Sequence, residues 1–336
     1  MSGPRVRAVV VTWNGAHLLP ACLDSLLAQD LGPEVLEVLV VDNASSDGTA
    51  RLLAERYPSV RVLTLGANLG FAGGVAAGTA DLLDAAAGGR PEYVALLNND
   101  ARFEPDAVRL LVKAADAAAL AGEHVGAVTA TVLLEERDSM GRVLVNSTGN
   151  VLTGTGAAAD RDYRVPLDEV RPEREVFGFN GGACLLRTDA LREAGGFDPS
   201  LFLYYEDTDL SWKLREHGWT VIHEHAARAH HRHMASTQGG VSPTFRYYNT
   251  RNSLVVMARH APARRVLASY VRQSAGAVRR TVLGGEDRRV TLARWRGLRD
   301  ALVPALRGVL RASRVRDVRK VRASHQEQAD HQDREA

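Results

Sequence analysis

The sequence has few cysteines and lacks a long apolar run. Its 336 residues include 2 cysteines, Cys22 and Cys184, which lie far apart in apolar surroundings. The small number and the wide spacing argue against a disulfide framework and a zinc cluster, and they favour a reducing compartment. No apolar stretch approaches the ~20 residues that span a bilayer, and the N-terminus enters a predicted strand with no room for a signal peptide. We therefore expect a cytoplasmic protein.

Two common nucleotide-binding patterns are also missing. The first predicted strand ends in Thr12-Trp13-Asn14-Gly15, where a dinucleotide-binding enzyme would carry Gly-x-Gly-x-x-Gly. The chain has no phosphate loop ending in Gly-Lys-Ser or Gly-Lys-Thr. These absences argue against a hydride-transfer enzyme and against a P-loop NTPase.

Four apolar runs alternate with segments of helical spacing. The runs cover residues 6–12, 36–41, 60–65 and 92–98, and each ends near Asn, Asp or Gly. Helices are expected over 16–29, from Thr49, and from the glycine-rich loop at 66–74 to about Ala87. Such a βαβ series predicts an α/β fold with a parallel sheet. Further on, we expect a helix over 105–120, a strand over 125–134, and a hairpin excursion over the site within 135–175.

Asn98, Asn99 and Asp100 directly follow the fourth predicted strand. In an open α/β sheet, ligands bind beyond the carboxyl ends of the strands. Mg²⁺ needs oxygen ligands and takes one or two protein carboxylates together with substrate phosphates. Asp100 is therefore a candidate metal ligand, although a polar turn that ends the strand explains these three residues equally well.

A second acidic cluster begins a predicted helix at Glu206, Asp207 and Asp209. Stabilising a helix start needs one or two carboxylates, so the third is surplus and could serve as a general base. A solvated helix start is the alternative. The histidines that follow, of which one is a candidate metal ligand, are His223, His225, His230, His231 and His233.

Eight short motifs in this order resemble the inverting family-2 glycosyltransferases of GT-A fold, in particular their rhamnosyltransferase-like branch. The resemblance covers about residues 6–252 and implies a mixed, Rossmann-like α/β sheet flanked by helices. The motifs are Val11-Thr12-Trp13-Asn14, Val41-Asp42-Asn43-Ala-Ser-Ser-Asp47-Gly-Thr, Asn68-Leu-Gly70-Phe71-Ala, Leu97-Asn98-Asn99-Asp100, Gly181-Gly182-Ala, Gly196-Phe197-Asp198, Tyr205-Glu206-Asp207-Thr-Asp209-Leu210 and His231-Arg-His-Met-Ala-Ser236-Thr.

The resemblance implies a role for each matching residue. Asp207 would be the catalytic base, and Asp100 and His231 would bind Mg²⁺ or Mn²⁺. Asn98 stands where the family's Asp-x-Asp motif has its first acid. The residues expected to bind the nucleotide sugar are Thr12, Asn14, Asp42, Asn68, Asn99 and Gly182. The implied catalytic domain is 1–252, with a nucleotide-binding half (about 1–120) and an acceptor half (about 121–252).

The region after the catalytic domain is strongly basic. Residues 264–322 contain sixteen arginines and one lysine against four acidic residues, with apolar residues and Trp295 between them. Basic amphipathic helices over 253–323 are typical of membrane-surface binding; helices docked on the catalytic domain are the alternative. Nucleic acid is not expected as a partner, because no base-reading motif accompanies the arginines. The tail 324–336 is expected to be disordered.

The expected partners are a nucleotide-sugar donor, most plausibly dTDP-rhamnose, and a glycan or lipid-linked acceptor in cell-wall or surface-polysaccharide synthesis. The expected location is the cytoplasm, with peripheral contact to the inner face of the membrane. The alternatives are a transferase that uses a UDP- or GDP-sugar on a small molecule or protein, and an inactive nucleotide-sugar-binding relative. Retention of both Asp100 and Asp207 argues against inactivity.

Overall fold

The computed structural model describes residues 4–32, 34–84, 90–155, 157–170, 173–232 and 241–310. Its contacts divide the chain into two compact units, which are Met1–Thr153 with Ala158–Gly240, and Gly154–Ala157 with Val241–Ala336. The assignment of a catalytic domain to 1–252 stays a prediction. The expected disordered tail, 324–336, lies outside the described residues, as does His233.

One half of the first unit's sheet is parallel. Its strands are β1 (Val6–Thr12), β2 (Leu36–Asp42), β3 (Arg61–Thr64) and β4 (Tyr93–Leu97), in the spatial order β3-β2-β1-β4. They alternate with α1 (Leu19–Leu27), α2 (Thr49–Arg56) and α3 (Gly70–Gly78). This confirms the predicted βαβ series and places the carboxyl ends of these strands at one edge.

The other half makes the sheet mixed. Its strands are β5 (Ala101–Phe103), β6 (Val125–Arg137), β7 (Val143–Ser147), β10 (Glu175–Val176), β11 (Ala183–Arg187) and β12 (Thr220–His231), while β8 (Asn150–Leu152) and β9 (Ala158–Asp160) form a separate hairpin. β11 runs antiparallel between β4 and β6, and β12 runs parallel to β6. The β6–β7 and β8–β9 pairs are hairpins and agree with the hairpin excursion expected within 135–175. Its position over the site stays a prediction. The sequence interpretation assigned no element to the histidine-rich span that forms β12.

The remaining helices of this unit are α4 (Ala107–Leu120), α5 (Thr188–Glu193) and α6 (Glu206–Glu216). The prediction that α3 continues to about Ala87 is wrong. It ends at Gly78, and Thr79 leaves the helical conformation with its Oγ1 donating to the Val75 carbonyl at 2.8 Å. Both glycine and a side chain that competes for backbone hydrogen bonds weaken a helix.

Alternate residues of β1 pack into two different hydrophobic clusters. Val6, Ala8 and Val10 pack in one cluster with residues of α1 and α4, whereas Val9 and Val11 pack in a second cluster with residues of α3 and α6. A strand covered on both faces explains the continuous apolar run in the sequence. Both cysteines are buried and free.

The second unit consists of three helices in the residues described. They are α7 (Pro243–His260), α8 (Ala263–Leu283) and α9 (residues 288–310). Ser242 caps α7, because its Oγ accepts from the Phe245 N–H at 3.0 Å. A small core joins the three helices through Met257, Ala258, Ala261, Val266 and Ala305. Within the described parts of the chain, no helix is long and apolar enough to cross a membrane.

Candidate active site

The loops after β1 and β2 are joined by hydrogen bonds at the carboxyl edge of the sheet. Asn14 has a left-handed backbone (φ 52°), its N–H donates to Ser45 Oγ at 2.8 Å, and its Oδ1 accepts from the Ser46 N–H at 2.8 Å. Asparagine tolerates this conformation better than most residues. Thr12 Oγ1 accepts from Asn99 Nδ2 at 3.0 Å. The side chains of three predicted nucleotide-binding residues therefore meet at this edge.

Asp42 and Asn68 have defined structural contacts beside these loops. Asp42 is buried, and its Oδ1 accepts from the Ser45 N–H at 3.0 Å. Asn68 Oδ1 accepts from the Gly70 N–H at 2.9 Å, at the start of α3. Asn43, which the sequence analysis did not single out, donates to the Gly70 carbonyl at 2.9 Å and so connects the end of β2 to α3. Nucleotide contacts of Asp42 and Asn68 stay predictions.

Asp100 and His231 face each other across the β5–β12 pair. Asp100 Oδ1 lies 3.1 Å from His231 Nε2, and the two side chains are 15% and 18% exposed. On the other side of the imidazole, His231 Nδ1 lies 2.8 Å from Oδ1 of Asn146 on β7. The structure thus joins two predicted metal ligands and adds a third polar residue that the sequence analysis missed.

The Asp100–His231 pair fits a hard or borderline divalent cation. Two adjacent ligands of an octahedral ion with bonds of about 2.1 Å lie about 3 Å apart, which matches the 3.1 Å between Asp100 Oδ1 and His231 Nε2. No group of three or more His, Cys, Asp or Glu side chains in the described ranges could hold a metal. Two protein ligands suit an ion that takes its other ligands from a diphosphate and water.

Asn98 and Gly182 connect β4 to β11 behind Asp100. The Asn98 N–H donates to the Gly182 carbonyl at 2.9 Å. A Cβ on residue 182 would lie 2.9 Å from Asn180 Oδ1 and 3.1 Å from Asn98 Nδ2, so glycine allows this close approach. A direct contact of Gly182 with the nucleotide sugar stays a prediction.

Asp207 lies in the first turn of α6 and keeps partial exposure to solvent. Its Oδ2 accepts from the Gly181 N–H at 3.2 Å, and its Oδ1 accepts from the Thr208 N–H at 2.6 Å. These donors fix the carboxylate in one orientation. Asp207 is therefore an oriented, accessible carboxylate, as a general base must be.

The two neighbouring acids have different surroundings. Asp209 is fully buried and forms an ion pair with Lys213 at 2.8 Å, one helical turn away. Glu206 is 7% exposed, and its Oε2 has no hydrogen-bond partner among the residues described. Burial and then the Asp207 charge raise the pKa of Glu206 to about 8. Of the three acids, Asp207 alone combines exposure with orientation.

A strained turn leads into this helix. Phe202, Tyr204 and Tyr205 all have positive φ, between 63° and 72°, and such strain is often found at functional sites. The Phe202 carbonyl accepts from the Ala72 N–H at 3.1 Å. A Cβ on Gly70 would lie 2.2 Å from that carbonyl oxygen, so only glycine permits α3 to approach the turn this closely.

The charges of the predicted site residues act on Tyr204 and Asp160. Burial raises the pKa of Tyr204, and the charges of Glu206 and Asp100 raise it further. Asp160, on β9, accepts from Asn180 Nδ2 at 3.0 Å. Desolvation of its carboxyl group, although the residue as a whole is exposed, and then the charge of Asp207 raise the pKa of Asp160. Hydrogen bonds from Ser147 and Asn180 and the charge of His231 lower this pKa. Gly181, which donates to Asp207, is adjacent to Gly182, whose carbonyl accepts from the Asn98 N–H two residues before Asp100. Asp207 and Asp100 are therefore connected at the same end of the β4–β11 pair.

His223 and His230 have different partners from His231. His223 is buried, and its pKa is lowered to about 3 by burial, by Arg161 and by His225. Its Nδ1 lies 3.0 Å from an Arg161 nitrogen, which can only donate, so the ring is a neutral structural acceptor. His230 contacts Glu104 at 3.1 Å.

Comparison with known proteins agrees with this geometry. The family model described as "Glycosyltransferase like family 2" matches residues 4–275. An N-acetylglucosaminyl-diphospho-decaprenol L-rhamnosyltransferase of Mycobacterium tuberculosis is 31% identical over 246 residues, which are 68% of this chain and 76% of that protein. The succinoglycan biosynthesis protein ExoO of Rhizobium meliloti is 37% identical over 116 residues, or 34% of this chain and 31% of ExoO.

Two solved structures share the fold at low sequence identity. GalNAc-T7, solved with UDP, GalNAc and Mn²⁺, superposes with a TM-score of 0.60 at 13% identity, over 88% of this chain and 54% of that chain. The mannosyltransferase PcManGT of Pyrobaculum calidifontis, solved with GDP-Man and Mn²⁺, gives a TM-score of 0.52 at 20% identity, over 92% and 87%. The chain therefore belongs to the glycosyltransferase family 2 group and has a GT-A fold.

Proposed function

We propose that this protein is a metal-dependent, inverting glycosyltransferase of cell-surface glycan synthesis. It would move a sugar, with rhamnose the first candidate, from a nucleotide-sugar donor to a hydroxyl of a lipid-linked or polysaccharide acceptor. The observation that supports the proposal is the Asp100–His231 pair together with the oriented Asp207 carboxylate. Asp207 accepts from Gly181, whose neighbour Gly182 bonds to Asn98, two residues before Asp100.

On the donor side, Asp100 and His231 would hold Mg²⁺ or Mn²⁺. The cation supplies positive charge for the negative charge that develops on the leaving diphosphate. The loops joined by Asn14 and Ser45 would orient the nucleotide beside this pair. The expected lining residues are Thr12, Asn14, Asp42, Asn68, Asn99 and Gly182.

On the acceptor side, Asp207 would take the proton of the acceptor hydroxyl. The acceptor oxygen forms a bond to the anomeric carbon while the bond from that carbon to the diphosphate oxygen breaks. The leaving nucleoside diphosphate keeps the electron pair, and the proton moves to the Asp207 carboxylate. A single displacement of this kind inverts the anomeric centre and needs no covalent nucleophile.

The donor is testable with the purified full-length chain. We expect one of a panel of dTDP-, UDP- and GDP-sugars, dTDP-rhamnose first, to raise the melting temperature when Mn²⁺ is present, because a ligand that binds the folded state stabilises it. The donor so identified should then be consumed when a lipid-linked glycan acceptor is added. Absence of stabilisation by every nucleotide sugar would contradict the proposed function.

The second unit would place the enzyme on an anionic membrane surface. α8 exposes a stripe at helical spacing, in which Leu267, Val271, Val278 and Val282 are 49–74% exposed. Residues 241–310 contain fourteen arginines and three acidic residues. Exposed apolar side chains beside many cations match an anionic lipid headgroup layer, where each arginine contributes about 1 kcal/mol. A peripheral location on the inner face of the membrane is part of the proposal.

Charge placed in this stripe should release the protein from vesicles. We expect full-length protein to co-sediment with phosphatidylglycerol vesicles at low salt, and the double variant Val271→Glu/Val278→Glu to bind far less, because carboxylates repel the surface and cannot enter it. Leu120→Glu is the matched control, since Leu120 is 91% exposed on α4 of the first unit. No sedimentation of the wild-type protein at low salt would reject membrane binding.

A further inference from the structure

Asn146 is a buried polar residue in contact with the imidazole of His231. It is 4% exposed, and its Oδ1 lies 2.8 Å from His231 Nδ1. β6 lies between β7, which carries Asn146, and β12, which carries His231. The pairing fixes the distance between the two side chains, because Leu133 of β6 pairs with Val145 of β7 and with His230 of β12. The contact is therefore built into the sheet and does not depend on a loop.

The roles of the two imidazole nitrogens are coupled. An amide oxygen only accepts, so the contact with Asn146 makes His231 Nδ1 a donor. In the neutral imidazole, Nε2 then carries a lone pair, and this nitrogen lies 3.1 Å from Asp100 Oδ1, which also only accepts when ionised. Two lone pairs at this distance repel each other, whereas a cation bound by both atoms removes the repulsion.

We propose that Asn146 is a positioning residue for the metal centre, holding His231 in the tautomer whose Nε2 lone pair faces the cation shared with Asp100. This inference rests on the proposed metal-dependent function. Histidines that bind metals commonly donate their second N–H to a fixed acceptor, and loss of that acceptor lowers metal affinity by about 10–100-fold. Because Asn146 is buried, solvent cannot readily replace its oxygen.

The test is a titration of the full-length protein with Mn²⁺, in which electron paramagnetic resonance measures the bound ion. The titration is carried out once in the presence of UDP and once in the presence of dTDP. We expect Asn146→Leu to bind Mn²⁺ about 10–100-fold more weakly than the wild type. Asn146→Asp keeps an acceptor oxygen and should retain most of the affinity. Asn150→Leu is the matched control, because Asn150 is equally buried but donates to the Phe179 carbonyl at 2.9 Å.

The outcomes separate this inference from the proposed function. Equal Mn²⁺ affinity in Asn146→Leu and the wild type overturns the positioning role and leaves metal dependence intact. Equal losses in Asn146→Leu and Asn150→Leu also overturn it, because they reflect a lost buried hydrogen bond alone. No Mn²⁺ binding by the wild type overturns both. In ¹⁵N NMR spectra of the Mg²⁺-loaded protein, a proton on His231 Nδ1 supports the inference, and a proton on Nε2 contradicts it.

Discussion

Replacing Asp207 by asparagine is expected to lower kcat by about 10²–10⁴-fold, the usual contribution of general-base catalysis. Asparagine keeps the size of the side chain and can still accept from the Gly181 N–H, but it cannot take a proton from the acceptor hydroxyl. The Kd of the donor should hardly change, because Asp207 acts on the acceptor. Steady-state turnover and a donor titration on the same preparation measure the two effects.

Glu206→Gln is the matched comparison for Asp207→Asn. Glu206→Gln should keep most of the turnover, whereas a near-normal kcat in Asp207→Asn would indicate that Glu206 or Asp209 is the base.

The pKa of Glu206 also predicts how stability depends on pH, because it is about 8 in the folded protein and about 4.5 for a glutamate outside the fold. The folded state therefore holds this proton more tightly, so the wild-type free energy of unfolding should fall as pH rises from about 4.5 to 8. In Glu206→Gln, the free energy of unfolding should no longer show this contribution to the decrease between about pH 4.5 and 8, which urea unfolding at several pH values measures.

The parallel half of the sheet could be predicted because each of its strands is a short apolar run that is visible in the sequence itself. Residues 6–12 form a continuous apolar run, and both faces of β1 are indeed buried. Asp100 could be predicted for the same reason, since a carboxylate that ends such a strand lies at the ligand-binding edge. His231 needed the family resemblance, because β12 interrupts its apolar residues with histidines and arginine and gives no clear strand pattern.

The rest of the site depends on contacts between distant residues. Asn146 comes from β7, and only the pairing of β7 with β6 brings it to His231. Asp160 comes from β9 and is connected to the start of β11 through its contact with Asn180. Without the family resemblance, the residues alone did not distinguish Asp207 from Asp209. The ion pair of Asp209 with Lys213 and its burial favour Asp207 as the base, and both are properties of the packed helix.

The Asp100 carboxylate is expected to be essential for metal-dependent donor binding. Asp100→Ala removes the carboxylate oxygen that lies 3.1 Å from His231 Nε2. His231 would then be the only one of the two proposed ligands left, and no cation would be held there to balance the negative charge of the diphosphate. Mn²⁺ affinity should fall by about 100-fold or more, since loss of an outer-shell partner alone costs about 10–100-fold. Turnover should be abolished.

Glu104→Gln is the control for Asp100→Ala, because the chain contains a second acid–histidine pair of the same kind. Glu104 Oε1 lies 3.1 Å from His230 Nε2, next to His231 in sequence, but this pair has no expected role in metal binding. Glu104→Gln should therefore bind Mn²⁺ and the nucleotide sugar like the wild type, whereas Asp100→Ala should bind both weakly. Excess EDTA should reduce donor affinity in the wild type to the level of Asp100→Ala. If donor affinity stays unchanged in EDTA, the diphosphate is bound without a metal and Asp100 has a different role.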